Sequence, residues 1–114
     1  MSRQAQPSVT LSITTTGIIA EYRFVTPAGA QAGAAGNTLG VARMAAASGD
    51  VIPVDAVGTA IVETGAAIAA GALVETDASG RAVTQSSGPK VGRVLPSQSS
   101  SAAGQFIEIL LIPN

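Results

Sequence analysis

The segment Ser48–Gln85, SGDVIPVDAVGTAIVETGAAIAAGALVETDASGRAVTQ, decides the fold class. Glycines at 49, 58, 65, 71 and 80 divide it into short apolar runs, which have the length of strands rather than helices. Gly49-Asp50 and the tetrapeptide Asp77–Gly80 add turn-forming residues at two of these breaks. The pattern predicts an all-β unit of hairpins, that is, a small β-barrel or sandwich of short strands with an N-terminal extended arm.

The composition predicts one domain with a modest core. A chain of 114 residues buries roughly 60–70% of its unfolded surface. The apolar fraction is 46%, but much of it is alanine, and only 3% of residues are aromatic, namely Tyr22, Phe24 and Phe106. Because such a core is marginal by itself, an oligomer or a host surface would help to stabilise it.

Charge and residue usage exclude several classes of partner. Charged residues make up 11% of the chain, with a net charge of −1 and scattered cations, whereas a nucleic-acid surface needs a basic patch. The chain has no cysteine and no histidine, which argues against disulfides and ordinary zinc sites. We find neither a signal-peptide apolar region nor a run of ~20 apolar residues, and so predict cytoplasmic synthesis and no membrane partner.

The sequence contains no recognisable catalytic constellation. Its carboxylates are mostly isolated, and Glu75 with Asp77 is interpreted as a solvated turn rim. Serines are plentiful, but histidine, the usual base for a serine nucleophile, is absent. The glycines form no phosphate-binding loop, and the acidic residues form no calcium loop. We predict a protein that is not an enzyme and that uses no cofactor and no metal.

The first part of the chain predicts two strands and a linker. Residues 9–15 alternate apolar and polar side chains, which is typical of a half-buried strand. This strand has two interpretations, an edge strand of its own domain or a strand that pairs with a partner's sheet. Residues 18–26 predict a second strand, with Glu21 and Arg23 as a surface ion pair. Residues 27–37, rich in Pro, Gly and Ala, predict a flexible linker or a long loop between the arm, 1–26, and the main domain, 38–114.

Within the main domain we expect seven further strand segments and several turns. The predicted strands cover 38–43, 51–54, 56–63, 72–76, 81–85, 91–95 and, closing the chain, 106–112, where 51–54 and 56–63 follow one another. Pro53 predicts an edge position or a bulge, because proline cannot donate to a β-ladder. The last strand is apolar on both faces and is expected to be central. Its Glu108 is interpreted as part of an ion pair or as lying near a subunit interface.

The order of segments across residues 38–112 resembles the small capsid decoration, or cement, proteins of tailed bacteriophages. The matching pieces are GVARMAAASGDVIPV, VGTAIVETGAAIAAGALVETDASGRAV and VGRVLPSQSSSAAGQFIEILLIP. The resemblance implies a structural virion protein that binds the outside of the assembled capsid and stabilises it. It also implies a homotrimer on the capsid, the major capsid protein of the same phage as partner, and an N-terminal arm that contacts the coat.

The implied arm gives a set of candidate capsid-contacting residues. They are Val9, Leu11, Ile13, Tyr22, Arg23 and Phe24. The alternative function is a carrier module of the biotinyl or lipoyl type, which is also a small β-sandwich. Such a module needs an attachment lysine at a hairpin tip, and Lys90, the only lysine here, lacks the flanking methionine of that signature.

Overall fold

The computed structural model describes residues 5–114, which form eight β-strands and no α-helix. The strands are β1 Pro7–Thr14, β2 Phe24–Val25, β3 Gly40–Ala42, β4 Val51–Glu63, β5 Leu73–Thr76, β6 Ala82–Thr84, β7 Gly92–Val94 and β8 Phe106–Leu111. The all-β prediction is confirmed. Nothing in this part of the chain is a helix long and apolar enough to cross a membrane.

The long strand β4 connects the two halves of the sheet. Its first half pairs antiparallel with β1 and β3, and its second half, from Thr59 to Glu63, pairs with β8. Gly58 separates these halves at φ +100, where a β-carbon would approach the Gln6 carbonyl oxygen to 2.6 Å. The pairing with β1 shifts register on either side of Val9, so β4 carries a glycine at an irregular position where side chains do not fit.

The strands close almost completely into a barrel. Their order is β2-β3-β4-β8-β7-β5-β6, with β1 added to β4. At the remaining gap, the Phe24 amide donates to the Gly80 carbonyl at 2.8 Å, and the Gly65 amide donates to the Ala82 carbonyl at 2.8 Å. A parallel bridge joins Thr64 to Ala82 at the same place. The last strand, β8, lies between β4 and β7, which confirms its predicted central position.

Two apolar clusters form the core. The larger cluster fills the barrel with residues from β2 to β8. Its members are Phe24, Ala32, Val41, Ala60, Val62, Ile68, Val74, Ala82, Val91, Val94, Ile107 and Ile109. The smaller cluster lies under the first half of β4 and consists of Ile19, Val25, Ala42, Ala46, Ile52 and Val54, with Ile13 packed against it. Both clusters rely on aliphatic side chains, as the composition predicts.

The prediction of a continuous strand over 18–26 is wrong. A turn at Glu21 and Tyr22 interrupts the segment, and only Phe24–Val25 is a strand. Tyr22 has φ +60, and its backbone is fixed from two sides, since its amide donates to Ala42 and its carbonyl accepts from Glu63. The expected Glu21–Arg23 ion pair is also wrong, because the turn destroys the alternation on which it depends. Arg23 pairs with Glu63 instead, at 3.2 Å.

The prediction that Pro53 marks an edge strand or a bulge is wrong as well. Residues 51–63 form one strand, and Pro53 lies within it between β1 and the end of β3. The Arg43 amide donates to the Pro53 carbonyl at 3.1 Å. In a regular antiparallel pair the residue at position 53 would also donate its amide to the Arg43 carbonyl, but proline has no amide hydrogen. Accordingly, β3 ends one residue before Arg43, at Ala42. The proline is tolerated because the neighbouring strand stops there.

The segments named as arm and linker both contact the barrel. The first strand, β1, pairs with β4 of the same chain from Pro7 to Thr14. Of the two interpretations of this segment, the structure has the edge strand of its own domain. Residues 27–37 form turns, with Gln31 bridged to Val25 and the Ala35 amide bonded to the Thr76 carbonyl. Residues 1–4 of the proposed arm lie outside the described residues.

Candidate functional site

The outer edge of β1 presents main-chain groups that do not face β4. The Thr15 amide donates to the Asp50 carbonyl at 2.8 Å, so the main chain of alternate residues before it, Ile13 and Leu11, also points toward β4. The main-chain groups of Thr10 and Ser12 therefore point away from β4, and both residues are exposed. A strand edge of this kind is a template for pairing with another chain.

An apolar groove of about 350 Å³ lies beside β1. Its apolar walls are formed chiefly by Val9, Leu11, Leu39, Val57, Leu111 and Ile112. Val9 and Val57 are cross-strand partners and are 41% and 48% exposed. None of the groove-lining residues carries a charged side chain. Exposed apolar surface without charge is typical of the central part of a protein–protein interface.

The structure separates the six candidate contact residues. Val9 and Leu11 lie together in the apolar groove, whereas Ile13 packs against the smaller core cluster. Tyr22 lines a different, polar cavity near Arg43 and Asp55. Phe24 is fully buried in the larger core cluster, so its side chain supports the barrel and offers no surface.

Arg23 belongs to an ion-pair network that closes the barrel gap. Its guanidinium contacts the Glu63 carboxylate at 3.2 Å and donates to the Ser79 carbonyl at 2.9 Å. Arg81 joins the same network through Glu63 at 3.7 Å and Asp77 at 3.3 Å. The network links the end of β4 to the turn before β6. Arg23 therefore has a structural role in this chain.

The carboxylates at the end of β5 organise loops. Glu75 accepts hydrogen bonds from the backbone amides of Ser86 and Gly88, which lower the pKa of its carboxyl below the ordinary value of 4.5. Asp77 accepts from the amides of Ser79 and Arg81 and so fixes its own turn. Across residues 5–114 no three acidic, histidine or cysteine side chains are grouped so as to hold a metal ion.

Comparison with known proteins identifies the family. The phage cement protein family matches residues 3–111, nearly the whole chain. The chain belongs to the phage cement proteins. A capsid-stabilising role follows from this membership, and the family is one of structural phage proteins rather than enzymes. The biotinyl or lipoyl carrier alternative is not supported. A comparison with curated proteins gives no significant match.

A solved structure supports the fold of this cement protein. The base of the head fiber gp8.5 of bacteriophage phi29 superposes with a TM-score of 0.71 at 18% sequence identity. The match covers 91% of the cement protein and 93% of the head-fiber chain. At this identity the likeness shows a shared fold.

Several groove residues of the cement protein were not found from the sequence. Leu39 precedes β3, Val57 belongs to β4, and Ile112 follows β8. Only Val57 carries a local signal, because it is a large apolar residue next to the irregular glycine at position 58. The others become neighbours of β1 through pairing between distant segments, which one sequence does not display.

Proposed function

We propose that this cement protein binds the outer surface of the assembled capsid and contacts the major capsid protein through β1 and the apolar groove beside it. The observation that carries the proposal is that one strand offers both an open main-chain edge and an uncharged apolar groove. Main-chain hydrogen bonds along the edge would supply affinity, and groove side chains would supply specificity. Cement binding to the assembled state stabilises that state by mass action.

We infer that β1 stays paired with β4 when the protein is bound. The pairing runs over the whole of β1, and Ile13 is anchored against the smaller core cluster. A coat segment would then add to the outer edge at Thr10 and Ser12, so that β1 becomes a central strand of a joint sheet. This arrangement needs no unfolding of the cement protein.

A homotrimer on the capsid is the assembly that we propose. The small aliphatic core supports it, because a core of this kind gains from contacts between copies. Large exposed apolar side chains outside the groove support it too, with Ile18 at 81% and Val51 at 64% exposure. Three copies of the binding strand would act multivalently and slow release from the capsid.

The experiment is co-sedimentation of the purified protein with undecorated expanded capsids of its own phage. Val9→Asp places a charge in the groove at an exposed strand position, and we expect capsid binding to weaken at least tenfold, because a buried unpaired charge costs several kcal/mol. Thr84→Asp is the matched control, since it adds the same charge at an exposed position on β6. Equal binding by both variants would contradict the assignment of the groove.

A further inference from the structure

A polar cavity of about 400 Å³ lies on the other face of β1. It is lined by Ala5, Tyr22, Val41, Arg43, Asp55 and Ile61, together with Ala42. Val41 also belongs to the larger core cluster, so the cavity adjoins the barrel interior. Val9 and Leu11 line the apolar groove, whereas the hydroxyl of Thr10, which lies between them, donates to the Asp55 carboxylate at the polar cavity. The two recesses therefore lie on opposite faces of the same strand.

A buried carboxylate forms one wall of this cavity. Asp55 is 2% exposed, and its Oδ1 accepts a hydrogen bond from the Thr10 hydroxyl at 2.9 Å. Its Oδ2 faces the Nε of Arg43 at 3.4 Å, longer than the roughly 2.7–2.9 Å of a strong charge-assisted hydrogen bond. The Arg43 side chain is half-exposed, so it can move into solvent when another cation takes its place beside the buried Asp55 carboxylate. Asp55 thus retains the capacity to bind a second or replacement cation.

An aromatic side chain in an unusual conformation forms another wall. Tyr22 has a backbone φ of +60, which residues other than glycine rarely adopt. Backbone hydrogen bonds to Ala42 and Glu63 hold its main chain in this conformation. Its ring packs edge-on against Phe106, with 5.5 Å between ring centroids. Local strain that the surrounding structure maintains is often found at binding sites. The turn therefore places Tyr22 in the lining of the same cavity as the buried Asp55.

We propose that this polar cavity receives the guanidinium group of an arginine from the coat protein, an inference that rests on the proposed function. A planar cation would pair with Asp55 through two N–H groups and stack on Tyr22, which is the combination that favours guanidinium over ammonium. The incoming guanidinium would replace the Arg43 side chain, which pairs weakly with Asp55 in the free protein. A coat protein bound at both the groove and this cavity would contact β1 on both of its faces.

The test uses N-methylguanidinium chloride as the probe, with N-methylurea as its neutral planar counterpart. Each is titrated into the isotope-labelled full chain at constant ionic strength while amide chemical shifts are recorded. We expect saturable shifts at Tyr22, Arg43 and Asp55 with the cation, and none that saturate with the urea. Equal responses to both probes, or no saturable response to the cation, would overturn the proposal.

Two variants and one control test the assignment of the walls. Asp55→Asn keeps an oxygen acceptor for Thr10 but removes the charge, and it should weaken N-methylguanidinium binding about tenfold or more. Asp50→Asn removes a carboxylate from an exposed turn and should leave that binding unchanged.

If Asp55→Asn fails to fold, Tyr22→Gly replaces it, since glycine accepts the positive φ while the ring is lost. We expect Tyr22→Gly to weaken probe binding at least threefold, and unchanged binding would contradict a role for the ring. Capsid co-sedimentation of the wild-type chain is measured in a separate experiment. Capsid binding without a probe response refutes this cavity assignment alone, whereas a probe response without capsid binding refutes the proposed function.

Discussion

Replacing Gly40 by alanine tests the closest approach between two strands in this barrel. Gly40 begins β3 opposite β4, and a β-carbon there would overlap the Asp55 carbonyl oxygen. The same atom would lie 2.8 Å from the Asp55 carbonyl carbon and 3.0 Å from the Ala56 Cα. All three atoms belong to the backbone of β4, so no side chain can rotate away. The strands would have to separate where Val41 and Ala42 enter the two core clusters.

Overpacking of this kind costs about 1–3 kcal/mol where side chains can adjust, and we expect Gly40→Ala to cost about 3 kcal/mol because only backbone can move. For a domain of this size that corresponds to a fall in Tm of roughly 12 °C. Urea unfolding and thermal melts measure both quantities. Gly33→Ala is the control, since nothing lies within 4 Å of its added carbon and its φ is not positive. A stability of Gly40→Ala within about 0.5 kcal/mol of Gly33→Ala would refute the β3–β4 contact.

Three further predictions test the core, the electrostatics and the bound form of β1. Ile109→Ala should lower the free energy of unfolding by about 2–5 kcal/mol, measured by urea unfolding. Val51→Ala, at an exposed site, should change it by less than about 0.5 kcal/mol. Similar losses in both variants would contradict the core assignment. The Glu75 carboxyl has a lowered pKa in the folded chain, so its stabilisation is present above about pH 4.5 and is lost as pH falls through the folded value. Glu75→Gln should therefore be less stable than wild type at pH 7, and the difference should shrink as the pH falls below about 4.5. A difference that does not depend on pH would refute this linkage. Thr14 and Val51 are a cross-strand pair, and the chain has no native cysteine, so Thr14→Cys with Val51→Cys can form a disulfide that holds β1 on β4. The oxidised and reduced forms of this double variant should co-sediment equally with capsids, and loss of binding only in the oxidised form would show that β1 must leave β4.

The fold could be predicted from the sequence because its turn signals are local. Gly49-Asp50 and Asp77–Gly80 end apolar runs where the structure has turns, and the flanking runs form strands. The failures arose where distant hydrogen bonds override local pattern. Tyr22 lies in an apolar alternation, but bonds to Ala42 and Glu63 hold it in a turn. Pro53 is accommodated because a strand that is distant in sequence ends beside it.

The candidate site could be predicted only in part, for a related reason. The alternation of Val9 and Leu11 is a local signal, and both residues lie in the groove. The remaining walls come from β4, from the segment before β3 and from the end of β8, which meet through long-range pairing. The polar cavity had no sequence signal, because its buried carboxylate and its aromatic ring are brought together only by the turn at residue 22.

The most direct measurement of the central claim is the melting temperature of undecorated expanded capsids at increasing concentrations of this protein. A ligand of the assembled state stabilises it by about 2.7 kcal/mol per site at a hundredfold excess over Kd. We predict that the capsid melting temperature rises with protein concentration in step with saturable binding, and that Val9→Asp requires a higher concentration than Thr84→Asp for the same rise. A capsid melting temperature that stays constant while wild-type protein saturates the capsid would contradict the stabilising role.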